Sequence, residues 1–148
     1  MVIVIDPQIA GISGDMILSS LVNLGADKNK IIEGVMKSQK FLQGSTIKKM
    51  DFQKIQKCGI ESTELILEID ENVSERKGIE IKKAILDSVN ELNLTTKAKV
   101  FAELCISTLI SSESKIHGIS ENSVHFHEAS SIDTLVDIVG ITIALDDL

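Results

Sequence analysis

The segment from Ile132 to Leu145 most constrains the fold, because apolar residues occupy almost every position of a helical pattern there. A helix that is apolar nearly all round must be buried. Two carboxylates interrupt this apolar pattern, those of Asp133 and Asp137. They lie on the same face of the helix, and Gly140 lies farther along that face. Like charges at this spacing repel by about 0.2–0.5 kcal/mol even in water, and buried without a partner they cost far more. They need a cation, a shared proton or strong donors.

Two histidines precede this helix at a spacing that suits a metal ion. In an extended segment, residues two apart point the same way, so His125 and His127 would share one face while Phe126 turns into the core. Imidazole suits nickel, zinc or copper. The alternative is a pair of half-exposed histidines in a loop. His117, at the end of an earlier helix, is more typical of a helix cap than of a ligand.

Histidines and carboxylates together form the strongest local pattern of the chain. Glu128 follows His127 directly, and only five residues separate His127 from Asp133. The run brings two imidazoles and three carboxylates to the entry of one helix, which favours a metal site. The candidate metal ligands are His125, His127, Glu128, Asp133 and Asp137. The alternative for the two aspartates is an ion pair with a lysine distant in the sequence.

A second candidate site lies near the N-terminus. The β-branched run from Val2 to Ile5 is typical of a buried strand, and a glycine-containing turn then leads into a helix. The start of a helix presents free N–H groups to an anion. The candidate anion-binding residues are Gly11, Ser13 and Gly14, and the candidate catalytic carboxylates are Asp6 and Asp15. The structural alternative is that Ser13 caps the helix and the glycines relieve strain in the turn.

Composition narrows the class of protein. The 148 residues suffice for one domain, and the formal net charge of −7 argues against general nucleic-acid binding. With 4 Phe, no Tyr and no Trp, recognition on an exposed aromatic platform is nearly excluded. Two cysteines are too few for a disulfide framework. Since neither a signal peptide nor a membrane-spanning run is recognisable, we expect a cytoplasmic protein.

The order of the patterns predicts an α+β fold, in which a small sheet (one N-terminal strand plus a hairpin) packs against about five helices. The hairpin runs from about Thr46 to Asp70 and turns at Cys58 and Gly59, with a bulge or early break in its first half. The longest helix begins after a cap at Thr95 or Thr96 and ends at Gly118. Its predicted buried stripe is Ala98, Phe101, Cys105, Leu109 and Ile116.

Four segments together resemble one family, the nickel-insertion (LarC-type) proteins of nickel-pincer-nucleotide cofactor synthesis. The matching segments follow the family's order from end to end. They are residues 10–16 (AGISGDM), residues 58–63 (CGIEST, similar to the family's GGIxGT), residues 115–118 (KIHG, similar to KVHG), and residues 124–140, which resemble its VHFHE…D…VDIVG block. Pro7 stands where the family commonly has Cys, and residues 71–76 replace a stretch that is often rich in His.

The resemblance implies an enzyme, a nickel chelatase or cyclometallase of the lyase class. Such proteins place nickel into pyridinium-3,5-bisthiocarboxylic acid mononucleotide in a CTP-dependent reaction, and the product serves lactate racemase and related enzymes. Residues 1–148 resemble the N-terminal domain of a longer family protein. The CTP site, with Mg or Mn, is expected in the C-terminal part, which this sequence lacks. The implied partners are the anionic mononucleotide, that C-terminal part, and apo lactate racemase or a related enzyme.

These observations lead to one main hypothesis and two alternatives. We expect residues 1–148 to be the metal-handling domain of a nickel-insertion protein, with Asp6 and the turn from Gly11 to Asp15 lining the same pocket as the metal ligands. The first alternative is an interaction module without metal chemistry, whose polar network docks the C-terminal part. The second is a divalent-metal phosphohydrolase that uses Asp6 and Asp15.

Overall fold

A computed structural model describes residues 2–8, 11–126 and 132–148. These residues form five α-helices, two short 3-10 helices and four strands in two antiparallel pairs, which confirms the α+β class. The α-helices are α1 (Gly14–Asn23), α2 (Lys28–Ser38), α3 (Gly78–Glu91), α4 (Thr96–His117) and α5 (Ile132–Asp147). The strands are β1 (Ser45–Lys57), β2 (Ile60–Glu71), β3 (Arg76–Lys77) and β4 (His125–Phe126), and the 3-10 helices are Gln39–Phe41 and Glu121–Ser123.

Strands β1 and β2 form the predicted hairpin, with Lys57 paired to Ile60. Its turn is made by Cys58 and Gly59, both in the left-handed region at φ values of 51° and 79°, as two-residue hairpin turns require. The register shifts between Ile47 and Lys49, which confirms the predicted irregularity in the first strand. The shift brings Ile47, Met50 and Phe52 into the core despite their uneven spacing.

The predicted N-terminal strand is not formed. Residues 2–7 carry no strand, and the side chains of Val2 and Val4 are 88% and 86% exposed. A β-branched run becomes a strand only when a neighbouring edge accepts its hydrogen bonds, and within the described residues no strand pairs with it. The second sheet instead joins β3 and β4, a pairing of two-residue strands that is too short to be recognised from hydrophobic periodicity.

Helix α5 is the centre of the fold, as its apolar sequence predicts. It contacts all four other α-helices and β1, and Ile132, Leu135, Val136 and Val139 are fully buried. The hydroxyl of the buried Thr142 in this helix donates a hydrogen bond of 2.6 Å to the carbonyl oxygen of Ile138. A polar group without access to water is thereby satisfied within the helix itself.

Helix α4 has the predicted ends and a buried face that differs from the predicted one. The hydroxyl of Thr95 accepts from the Ala98 N–H at 3.3 Å, and Gly118 ends the helix at a φ of 63°. The most buried residues besides Ala98 are Ala102, Ile106 and Ile110. The predicted stripe of Phe101, Cys105 and Leu109 is only half-buried, and Ile116 is 74% exposed. Packing of α4 on α3 and α5 decides which of its faces is buried. The periodicity of the sequence did not predict that face.

Candidate functional site: an acidic cluster between α1 and α5

The two motifs that lie farthest apart in the sequence meet where α1 packs on α5. Gly14, the first residue of α1, lies directly against Asp137: a Cβ added to Gly14 would lie 2.6 Å from the Cβ of Asp137 and would overlap its carboxyl group. Farther along the same contact, a Cβ on Gly140 would lie 2.8 Å from Cδ2 of Leu18. The absence of these two side chains lets the helices approach closely, and the approach brings Asp137 to the start of α1.

Three carboxylates lie near this contact between α1 and α5, and we call them the acidic cluster: Asp15, Asp133 and Asp137. The pKa of Asp137 is raised from 3.8 to about 7, chiefly because burial disfavours its charge, and further because the charges of Asp133 and Asp15 repel it. Within the described parts of the chain no ion pair reaches Asp137, so the alternative of a distant lysine partner is not realised there. Binding of a cation would relieve both the repulsion and the cost of burial.

Residues of the N-terminal turn are arranged by local hydrogen bonds. Ser13 is the residue before α1, and its hydroxyl donates to the carboxylate of Asp15 without capping a backbone N–H. Gly11 has a φ of 74°, and its N–H donates to the carbonyl of Pro7 at 3.0 Å. The Gln8 N–H donates to Asp6 at 3.0 Å. No hydrogen bond or ion pair found among the described residues joins Asp6 to the acidic cluster.

The predicted histidine ligands are only partly described. In β4, His125 is exposed and Phe126 is buried, which confirms that Phe126 turns into the core. His127 and Glu128 lie outside the described residues. Among the described residues, no three His, Cys, Asp or Glu side chains are grouped to hold a metal ion, and this includes Asp15, Asp133 and Asp137. The assembly of a metal site from His125 and the acidic cluster therefore stays a prediction. The ring of His117 lies 3.3 Å from Glu113, one turn earlier in α4, as expected for a residue at a helix end.

A buried ionic network near the start of α5 was missed by the sequence analysis. Arg76, only 5% exposed, donates to the Gln43 carbonyl at 2.8 Å, to the hydroxyl of Ser45, and to Glu71 at 2.9 Å. Glu71 also accepts from the hydroxyl of Ser45 and from the Ile132 N–H at 3.0 Å. One signal was available, because Arg76 is the single arginine of the sequence, and arginine is preferred over lysine in buried ion pairs.

A cavity of about 450 Å³ is lined by Gln43 and Arg76 of the ionic network, and no residue of the acidic cluster lines it. A cavity of about 550 Å³ opens between α3 and α4, lined among others by Lys82, Asp87, Asn90 and Ser107, and none of the predicted site residues lines it. No helix in the described residues is both long enough and apolar enough to span a membrane. The acidic cluster therefore remains the structural feature that needs a chemical explanation.

Comparison with known proteins shows the family of the chain. A family model described as "Nickel insertion protein" matches residues 3–148. The chain belongs to the nickel insertion protein family. Its relatives include the "Pyridinium-3,5-bisthiocarboxylic acid mononucleotide nickel insertion protein" of Staphylococcus saprophyticus, which is 37% identical over 94% of this chain and 33% of the relative. The protein of the same name from Staphylococcus epidermidis is 38% identical over the same shares.

The nickel insertion family match covers almost the whole chain, which spans about a third of the length of the curated relatives it matches. No solved structure gives a significant match. The acidic cluster, the N-terminal turn and β4 all fall within the matched residues, and the match confirms the family that the sequence motifs resemble.

Proposed function

We propose that residues 1–148 form one domain that handles nickel in the insertion of this metal into pyridinium-3,5-bisthiocarboxylic acid mononucleotide. The observation that carries the proposal is Asp137, half-buried against Gly14 beside Asp15 and Asp133, with a pKa raised to about 7. Such a group gains by binding a cation, since the cation offsets both burial and repulsion. Nickel is the cargo of the reaction, and the family to which the chain belongs is named for its insertion.

The proposed ligands combine the acidic cluster with the histidine segment. Asp133 and Asp137 supply carboxylate oxygens from α5, and His125, His127 and Glu128 supply the donors that precede the helix. Imidazole nitrogens suit nickel, whereas carboxylates alone favour harder ions such as magnesium. A mixed set of this kind would hold nickel and still leave positions at which a substrate sulfur or carbon could replace a protein ligand.

The N-terminal turn has a complementary role in the proposal. The N–H groups at the start of α1, with Gly11, Ser13 and Gly14, would contact the anionic part of the mononucleotide. Asp15 lies in the first turn of α1, and its charge would repel an anion until a cation is bound. We therefore expect the mononucleotide to bind after nickel. Asp6 stays a proposed catalytic carboxylate at the edge of the same turn.

The proposal extends to the features that the longer relatives imply. A CTP-dependent lyase reaction with Mg or Mn would need residues beyond this chain, and its product would mature lactate racemase or a related enzyme, in the cytoplasm. These statements concern the whole family protein. The chain covers about a third of the length of its relatives.

Calorimetric titration with nickel tests the central claim. The His125→Ala/His127→Ala variant is expected to lose nickel affinity at least tenfold. The matched control is His117→Ala, which removes the third histidine of the chain and is expected to bind nickel like the wild type. Equal affinity of the wild type and the double variant would disprove the site assignment.

A second candidate function has one observation in its favour. Val2 and Val4 are almost fully exposed and pair with no strand in the described residues, which is typical of a surface that another polypeptide covers. In this alternative the chain is an interaction module that docks the remaining part of the family protein without metal chemistry. Co-purification with that part, free of bound metal and without nickel affinity, would favour it.

A further inference from the structure

Strand β4 is held by β3, which follows β2 after four intervening residues. Phe126 pairs with Arg76 and His125 pairs with Lys77 in the β3–β4 ladder. The Gly78 N–H donates to the carbonyl of Val124 at 2.9 Å and extends this pairing by one bond. Phe126 is 2% exposed, and its Cε2 atom would lie 3.3 Å from a Cβ added to Gly78. The position of His125 therefore depends on residues 76–78.

The start of α5 is held by the same part of the chain. The Ile132 N–H, one of the unpaired donors that every helix start presents, donates to Oε2 of Glu71 at 3.0 Å. The other oxygen of Glu71 lies 2.9 Å from Nη1 of Arg76. Asp133 follows Ile132 directly, and Asp137 lies one turn farther on. One carboxylate thus joins the helix that bears both aspartates to the arginine in β3.

The network is built to keep Glu71 charged. Burial works to raise the pKa of Glu71, but hydrogen bonds from Ser45, from the Ile132 N–H and from Arg76 outweigh it and hold that pKa below its ordinary value. Arg76 donates to Gln43, Ser45 and Glu71 at once. The planar guanidinium can make three such contacts from one position, whereas a lysine ammonium lacks this fixed geometry.

We propose that Glu71 and Arg76 are positioning residues that hold His125 on β4 and the aspartates of α5 at a fixed spacing for nickel. The inference rests on the proposed function, because it concerns the same ligands. Residues that fix metal ligands without touching the metal commonly change affinity 10-fold to 100-fold when they are replaced.

The first experiment measures nickel affinity and α5 ordering in Glu71→Gln. The variant keeps the shape of the side chain but loses the charge. Both oxygens of Glu71 accept from donors, so the NH₂ group of glutamine must face the donor of Ile132 or those of Ser45 and Arg76. We expect nickel affinity to fall about tenfold and the amide of Ile132 to exchange with solvent about tenfold faster. The matched control is Asp70→Asn, the neighbouring exposed carboxylate that pairs with Lys48 on the surface, and it is expected to change neither quantity.

Arg76→Lys keeps the charge and serves as a second variant if Glu71→Gln does not fold. It is expected to show the same two changes, and far-ultraviolet circular dichroism establishes that the measured protein is folded. Wild-type nickel affinity and wild-type exchange at Ile132 in a folded variant would overturn the inference. If the wild type itself binds no nickel, the proposed function fails. Amide exchange at Ile132 then still decides whether Glu71 and Arg76 order the start of α5, and unchanged exchange overturns that role too.

Discussion

Asp137→Asn isolates the electrostatic cost of the acidic cluster. Asparagine has nearly the same shape as aspartate but carries no charge at any pH. The rise in the pKa of Asp137 from 3.8 to about 7, at 1.36 kcal/mol per pKa unit, corresponds to at most about 4 kcal/mol. Because the folded protein binds this proton more tightly than the unfolded chain, the contribution of Asp137 to the free energy of unfolding falls as pH rises from about 4 to 7, then levels off.

The assay compares urea unfolding of the wild type and Asp137→Asn, free of metal, from pH 5 to pH 8. We expect the variant to gain stability relative to the wild type as pH rises, by about 2–4 kcal/mol at pH 8. The difference between the two proteins cancels the titration of distant groups. Nickel is expected to stabilise the wild type more than the variant. A stability difference that stays flat from pH 5 to pH 8 would refute the reasoning.

Three substitutions test the packing and the local geometry through urea unfolding. Gly14→Ala should destabilise the protein by about 1–3 kcal/mol, since the new methyl group overlaps Asp137; wild-type stability would contradict the close contact of α1 and α5. Cys58→Asn should stabilise it by up to about 1 kcal/mol, because asparagine tolerates the φ of 51°, and a loss of stability would contradict that turn geometry. Thr95→Ala should cost about 1 kcal/mol through loss of the bond to the Ala98 N–H, and an unchanged midpoint would show that the cap contributes nothing.

Local patterns predicted the elements whose signals are contained within a few neighbouring residues. The burial of α5 follows from its nearly unbroken apolar sequence, and the turn at Cys58 and Gly59 follows from the flanking alternation. The ends of α4 follow from Thr95 and Gly118. In each case the residues that stabilise the element lie within it or next to it, so the sequence contains the necessary information.

Contacts between residues distant in the sequence account for the predictions that were wrong and for the ionic network of Glu71 and Arg76 that was missed. Val2 to Ile5 has the composition of a strand, but a strand also needs an edge to pair with, which composition does not reveal. The buried side of α4 depends on where α3 and α5 lie against it, and Ile116 falls outside that contact. Glu71 and Arg76 look like residues of a polar loop until the fold brings Ile132 and Ser45 to them.

The sequence alone determined that the last helix is buried, that Asp133 and Asp137 interrupt its apolar run without a nearby cation, and that the motifs of the chain resemble those of the nickel insertion family. Only the tertiary structure decided that Gly14 brings Asp15 to Asp137, and that Glu71 joins β3 to the start of α5. The physical reason is that hydrophobic periodicity is a local property of the chain. A raised pKa or a buried ion pair arises instead from groups that meet only when distant segments pack together.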